Sequence, residues 1–94
     1  MKRNARTAFN AIQRIGAPVY DRSEESAEFI LGAERVKDND PKYADYYQDE
    51  IRERVEDGKV INAMGIDERI NRILRNNGLH AEWINVAMVG IYVD

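Results

Sequence analysis

Residues 80–93 read HAEWINVAMVGIYV, and their conformation decides the fold class of this 94-residue chain. Several β-branched residues favour a buried strand here, and Asn77-Gly78 just before them fits a hairpin turn. Against a strand, Ala81-Glu82-Trp83 is a plausible helix opening, and the rest of the chain offers few strands to pair with. The sequence predicts a helix ending near Gly90 with an extended tail, and a C-terminal strand is the alternative.

The N-terminal segment has the apolar spacing of one helical face. Its apolar residues are Ala5, Ala8, Phe9, Ile12 and Ile15. Gly16 ends this predicted helix, and Pro18 favours an extended conformation through Tyr20.

Capping residues predict three further helices. Asp21 and Ser23 are good N-caps for a short buried helix that reaches Val36. Asp40-Pro41 opens an acidic helix that runs to Gly58, and Asp67 caps a helix that ends at Gly78. Residues 60–64 are compatible with either a helical turn or a short strand. The predicted fold is mainly α, a single domain over residues 1–94 with four to five short helices, and α+β is the alternative.

Composition excludes several kinds of site. The chain has no cysteine, so disulfides, zinc–thiolate sites, iron–sulfur clusters and cysteine nucleophiles are ruled out. The only histidine, His80, comes with few hydroxyl groups, and no phosphate-binding loop or metal motif is present. We therefore expect no enzyme activity, cofactor or metal. Neither an export signal nor an apolar run long enough for a bilayer is visible, so a cytoplasmic protein with no membrane contact is expected.

Charge is distributed unevenly along the chain. Residues 1–22 carry five basic and one acidic side chain, residues 23–58 five basic and twelve acidic, and residues 59–94 four of each. The charges sum to −3. A dipolar chain of this kind can steer a charged partner or align copies of itself head to tail.

The acidic segment supplies the leading hypothesis for function. Tyr43, Tyr46 and Tyr47 share the predicted acidic helix with several carboxylates, and tyrosine is enriched at protein interfaces. We expect a non-enzymatic protein-binding module, such as a small adaptor or inhibitor of the kind phages encode, that engages a basic surface of a partner protein. The predicted partner-binding residues are Tyr43, Tyr46, Asp49, Glu50 and Glu53.

Two alternatives use the basic N-terminal segment. The chain could self-assemble by placing its N-terminal helix on the acidic helix of a neighbouring copy, which would give a homo-oligomer. It could also bind nucleic acid weakly through phosphate contacts, a less favoured reading because the basic patch is small. The residues of this patch are Lys2, Arg3, Arg6 and Arg14.

Overall fold

Two helices and six strands build the protein, and the computed structural model describes all of residues 1–94. The helices are α1 (Arg3–Arg14) and α2 (Glu68–Asn76), and a 3₁₀ turn covers Ala63–Gly65. The strands are β1 (Val19–Tyr20), β2 (Phe29–Gly32), β3 (Arg54–Glu56), β4 (Lys59–Ile61), β5 (Leu79–Asn85) and β6 (Met88–Val93). The prediction of a mainly helical domain is therefore wrong, and the chain is α+β.

The main sheet is antiparallel, with strand order β1-β2-β6-β5, and β3 and β4 form a separate hairpin. In the main sheet, even-numbered residues lie opposite one another on neighbouring strands. Tyr20 pairs with Ile30, Ile30 with Gly90, and Gly90 with Glu82. Since side chains alternate along a strand, all odd-numbered residues face one side. That side is the one the helices cover.

The core lies between this face and the two helices. Phe9 of α1 meets Phe29 of β2 edge-to-face, with ring centroids 5.3 Å apart. The Asn4 side chain at the start of α1 donates to the Asn77 carbonyl at the end of α2, at 2.8 Å, and joins the two helices. Neither helix is long and apolar enough to cross a membrane.

Residues 80–93 form most of the β5–β6 hairpin, so the helix predicted to end near Gly90 is wrong. The two strands pair with each other, and β6 also pairs with β2 along Phe29–Gly32. This second partner, β2, lies in the segment before Val36, where the sequence pattern predicts a helix. β6 therefore has a paired strand along each edge, and its odd-numbered residues Val89 and Ile91 are buried in the core.

The second predicted helix, from Asp21 or Ser23 to Val36, is also wrong. Residues 21–28 form turns in which Glu25 and Ser26 have positive φ, and β2 follows. Phe29, Ile30 and Leu31 are fully buried, with Ile30 on the sheet face opposite the helices. A short apolar run buried on both faces has no periodicity that separates a strand from a buried helix.

The acidic helix predicted from Asp40-Pro41 to Gly58 does not exist either. Residues 41–53 are irregular apart from one bridge, Ala44 to Ile66, and β3 and β4 follow. Asp57 and Gly58 both have positive φ and close this hairpin, as an Asp-Gly pair commonly does. We interpreted Gly58 as a helix stop, whereas it is the second residue of a hairpin turn.

The N-terminal helix, the extended stretch after Pro18 and the helix capped by Asp67 are confirmed. The N-terminal helix is α1, which ends just before Gly16, and the extended stretch after Pro18 is β1. The Asp67 side chain accepts the amide of Arg69 as the N-cap of α2, and Gly78 follows its C-terminal end with φ of 69°. Both helices carry a capping residue or a glycine stop together with a single apolar stripe.

Candidate protein-binding surface

A buried carboxylate organises the irregular segment that replaces the acidic helix. The Asp45 side chain is 2% exposed and accepts the backbone amides of Glu50 at 2.7 Å and Ile51 at 3.4 Å. Lys42 Nζ lies 3.4 Å from its second oxygen. Burial alone would raise the pKa of Asp45, but the two amides and the ammonium group outweigh it and lower the pKa. The carboxylate therefore stays ionised and closes the chain into a tight loop around itself.

The same loop is tied to the 3₁₀ turn. The Asp45 amide donates to the Gly65 carbonyl at 2.8 Å, and the Asp67 amide donates to the Tyr43 carbonyl at 2.9 Å. Gly65 has φ of 75°, and a Cβ atom there would stand 2.2 Å from the backbone oxygen of Asp45. Only glycine allows this close approach of the two backbones.

The loop and the turn bring three aromatic rings together on the outside of the molecule. Tyr46 contacts both Tyr47 and Trp83 edge-to-face, with ring centroids 5.3 Å apart in each pair. Trp83 Nε1 donates to the Met64 carbonyl at 2.9 Å, which fixes the indole against the turn. Tyr46 and Tyr47 are 47% and 70% exposed, and Met64 is also exposed. We name Tyr46, Tyr47, Met64 and Trp83 the aromatic surface.

The three predicted acidic residues differ in their surroundings. Glu53 accepts the Met64 amide at 2.9 Å, so it anchors the edge of the aromatic surface. Glu50 forms an ion pair with Arg35, which raises the pKa of the Arg35 guanidinium. Asp49 is exposed, two residues after Tyr47. Of the three carboxylates, Asp49 is the one best placed to meet a basic group on a partner.

Tyr43 does not lie with the other predicted residues. It is buried, and its hydroxyl donates to the Ile15 carbonyl at 3.0 Å, which joins the irregular segment to the end of α1. The structure therefore brings Glu53 to the aromatic surface with Tyr46, leaves Asp49 exposed two residues after Tyr47, and places Tyr43 in the core.

Sequence reasoning missed three members of the aromatic surface: Tyr47, which is next to a predicted residue, and Met64 and Trp83. The last two come from segments far from Tyr46 along the chain, and nothing in the local pattern links them. One signal was available: Trp83 is the only tryptophan, and the indole N–H of a partly buried tryptophan usually needs an acceptor.

The basic residues of the N-terminal segment lie on or beside α1. Arg6 pairs with Asp21 at 2.7 Å, and the backbone amide of Lys2 donates to Glu28 at 2.8 Å. Arg3 and Arg14 are exposed at the two ends of the helix and form no ion pair.

The neighbouring helix extends this basic face. α2 contributes Arg69, Arg72 and Arg75 and has only Glu68 as an acidic residue. Residues 59–94 are neutral as a whole, but their basic residues are concentrated on α2, beside α1. The molecule is therefore dipolar in space, with a basic helix layer and an acidic irregular segment.

The only histidine lies on the sheet face opposite the helices. His80 Nδ1 is 2.7 Å from an Asp94 carboxylate oxygen, and its ring stacks on Tyr92 at 5.8 Å between centroids. Its other nitrogen lies 3.9 Å from Glu82, and no hydroxyl group is hydrogen-bonded to it. No group of three or more histidine or carboxylate side chains is arranged to hold a metal ion.

Comparisons with models of protein families, with curated proteins and with solved structures found no match.

Proposed function

We propose that this protein is a non-enzymatic binding module that docks the aromatic surface onto a basic region of a partner protein in the cytoplasm. The observation that carries the proposal is the exposed ring trio, in which Tyr46 packs edge-on against both Tyr47 and Trp83. Tyrosine, tryptophan and methionine are the residue types enriched where protein interfaces are buried.

Rigidity supports this reading. Three segments distant in sequence hold the rings in place, through the Asp45 carboxylate, the Gly65 backbone contact and the Trp83 indole hydrogen bond. Because these groups are ordered before a partner arrives, binding loses less side-chain freedom than it would on a mobile loop.

Charge indicates the nature of the partner. Residues 23–58, which include Tyr46 and Tyr47, carry twelve acidic against five basic side chains. Asp49 and Glu53 border the aromatic surface, so a basic partner would be steered towards it, and the rate of association would fall as salt rises.

The experiment compares variants in capture of partners from host lysate. Tyr46→Ala combined with Tyr47→Ala is expected to weaken capture of a stoichiometric protein at least tenfold, on the scale of an interface hot spot. Tyr20→Ala is the matched control, because Tyr20 is a similarly exposed tyrosine at the far edge of the sheet. Equal capture of the partner by the unaltered protein, the double variant and the control variant would refute the proposal. An equal loss of capture in the double variant and the control variant would also refute it.

A charge reversal tests whether the partner surface is basic. Asp49→Lys is expected to slow association, whereas Asp21→Lys, also exposed and on the β1 side of the molecule, is expected to leave the rate nearly unchanged. Surface plasmon resonance at two salt concentrations with the captured partner gives both rates.

The basic helix layer supports nucleic acid as a second candidate, because Arg3 and Arg14 are exposed without acidic partners and α2 adds further arginines. Arg3→Ala combined with Arg14→Ala would then weaken binding to a fluorescein-labelled DNA duplex and reduce its salt dependence. No binding of the unaltered protein at low salt would eliminate this candidate.

A further inference from the structure

The two edges of the main sheet differ sharply. One edge is β1, which has only two residues, and a short edge strand offers little for another chain to pair with. The other edge is β5, which has seven residues, Leu79–Asn85, and contains neither proline nor lysine. It carries one irregularity, between Trp83 and Asn85, and one carboxylate, Glu82, and the rest of the strand is regular.

The register shows which backbone groups of β5 are unpaired. The Asp94 amide donates to the Gly78 carbonyl, and residues 79–83 continue in the same register with β6. In an antiparallel pair, alternate residues direct their amide and carbonyl groups towards the partner strand. The even-numbered residues of β5 therefore bond to β6, and Leu79, Ala81 and Trp83 direct theirs away from the sheet.

These unpaired groups lie in a recess. Leu79 is 3% exposed and Ala81 is 9% exposed, although no other hydrogen bond of the chain ends on their backbone atoms. A cleft of about 260 Å³ runs beside them, between β5 and the α2 residues Leu74 and Arg75. Backbone polar groups shielded from water without a partner are unfavourable, so this edge favours an added strand.

We propose that β5 pairs with β5 of a second copy of this chain, antiparallel and centred on Ala81, to make one continuous eight-stranded sheet. In this register Leu79 lies opposite Trp83 of the second copy, on the helix side. Leu79, Ala81 and Trp83 each donate one hydrogen bond and accept one, so every unpaired group of the recess is satisfied.

Side-chain complementarity selects the second copy and this register. On the face opposite the helices, His80 lies opposite Glu82 of the second copy, a favourable cross-strand pair at both ends of the interface. A register centred on Glu82 would place two like charges opposite each other. The apolar side chains of Leu79 and Trp83 face the helix layer in both copies, beside the cleft.

Because the chain has no cysteine, disulfide trapping tests this register directly. Positions 80 and 82 of opposite copies form a non-hydrogen-bonded pair with Cα atoms about 4.5 Å apart, which suits a disulfide. Residue 80 of one copy is only a diagonal neighbour of residue 80 of the other, and the same holds for residue 82. Their Cα atoms are about 7–8 Å apart, too far for a disulfide.

The experiment mixes His80→Cys protein with Glu82→Cys protein under mild oxidation. A mixed disulfide is expected to form at least tenfold faster than any disulfide in either protein alone. Tyr20→Cys mixed with Glu82→Cys is the control for random collision, because Tyr20 lies on the opposite edge. Equal rates in the mixture, the single proteins and the control would overturn the proposal.

A second measurement does not depend on cysteine. Sedimentation equilibrium of the unaltered protein is expected to show a mass rising with concentration from 10.9 kDa towards twice that value. Ala81→Pro removes an amide that the monomer does not use, and proline is tolerated at such edge positions, so this variant should remain a folded monomer. A mass of 10.9 kDa at all concentrations, or unchanged dimerisation of the folded proline variant, would overturn the proposal. Trp83 belongs both to the aromatic surface and to β5, but both tests use the purified protein without a partner, so their outcome does not depend on the proposed partner-binding function.

Discussion

Replacement of Asp45 by alanine should destabilise the fold strongly. The change removes the acceptor of the Glu50 and Ile51 amides and leaves the Lys42 ammonium without its counter-charge. A buried polar group left without a partner costs about 1–3 kcal/mol, and the 2.7 Å bond to Glu50 is the stronger of the two. We expect the free energy of unfolding to fall by about 2–4 kcal/mol, which is a large share of the usual stability of a small domain.

Urea denaturation followed by the fluorescence of Trp83 measures this change, because the indole packs against Tyr46 next to the loop that Asp45 closes. Asp49→Ala is the matched control, since this exposed carboxylate is on the same segment, and its replacement should change the stability by less than about 0.5 kcal/mol. Equal stability of the two variants would refute the assignment of Asp45 as the group that organises the segment.

The pH dependence provides an independent test of Asp45. Its pKa is lower in the folded protein than the ordinary value of 3.8, so the folded state favours the ionised form. The stabilisation is fully present above about pH 4 and is lost as the pH falls through the folded pKa. The difference in unfolding free energy between the unaltered protein and Asp45→Asn should therefore shrink below pH 4. A difference that stays constant down to pH 2 would show that ionisation of Asp45 does not stabilise the fold.

Three further substitutions test the parts of the fold that position the aromatic surface. Gly65→Ala should destabilise by several kcal/mol more than Gly58→Ala in the same urea assay, because a Cβ at Gly65 would strike the Asp45 backbone, whereas Gly58 has similar φ and open space; equal effects would contradict the close approach. Trp83→Phe should lose about 1 kcal/mol with its indole hydrogen bond, and thermal unfolding by circular dichroism would show no change if that bond were absent. Asp67→Ala should lose about 1 kcal/mol as an N-cap, with hydrogen exchange of α2 amides rising; unchanged exchange would contradict the capping role.

The sequence was sufficient to predict the two helices. α1 and α2 each have a single apolar stripe and a capping residue or glycine stop, and both were predicted correctly, whereas the acidic segment carries similar signals and forms no helix. The failed predictions share a different property. β2, β5 and β6 are defined by their pairing with one another, and no local pattern in residues 29–32 shows that residues 88–91 will lie beside them.

The acidic segment failed for a related reason. Tyr43, Tyr47, Ile51 and Val55 recur every four residues, yet Tyr43 is buried and Tyr47 and Val55 are largely exposed. The contact that shapes the segment is between the backbones of Asp45 and Gly65. The spacing of apolar residues along the sequence cannot show that two backbones will lie this close. Of the candidate site, the sequence could therefore predict the exposed tyrosine and its acidic neighbours, but not the methionine and tryptophan contributed from elsewhere.

The position of β6 has a consequence for synthesis in the cell. Residues 88–93 form the central strand, and β2 and β5 have little else to pair with, since β1 is only two residues long. A ribosome releases the chain from its N-terminus at about 5–20 residues per second, so β2 emerges several seconds, and β5 about one second, before the strand that joins them. The sheet must therefore assemble after Val93 has left the exit tunnel, and until then the apolar Phe29–Leu31 run is available to chaperones or to neighbouring nascent chains.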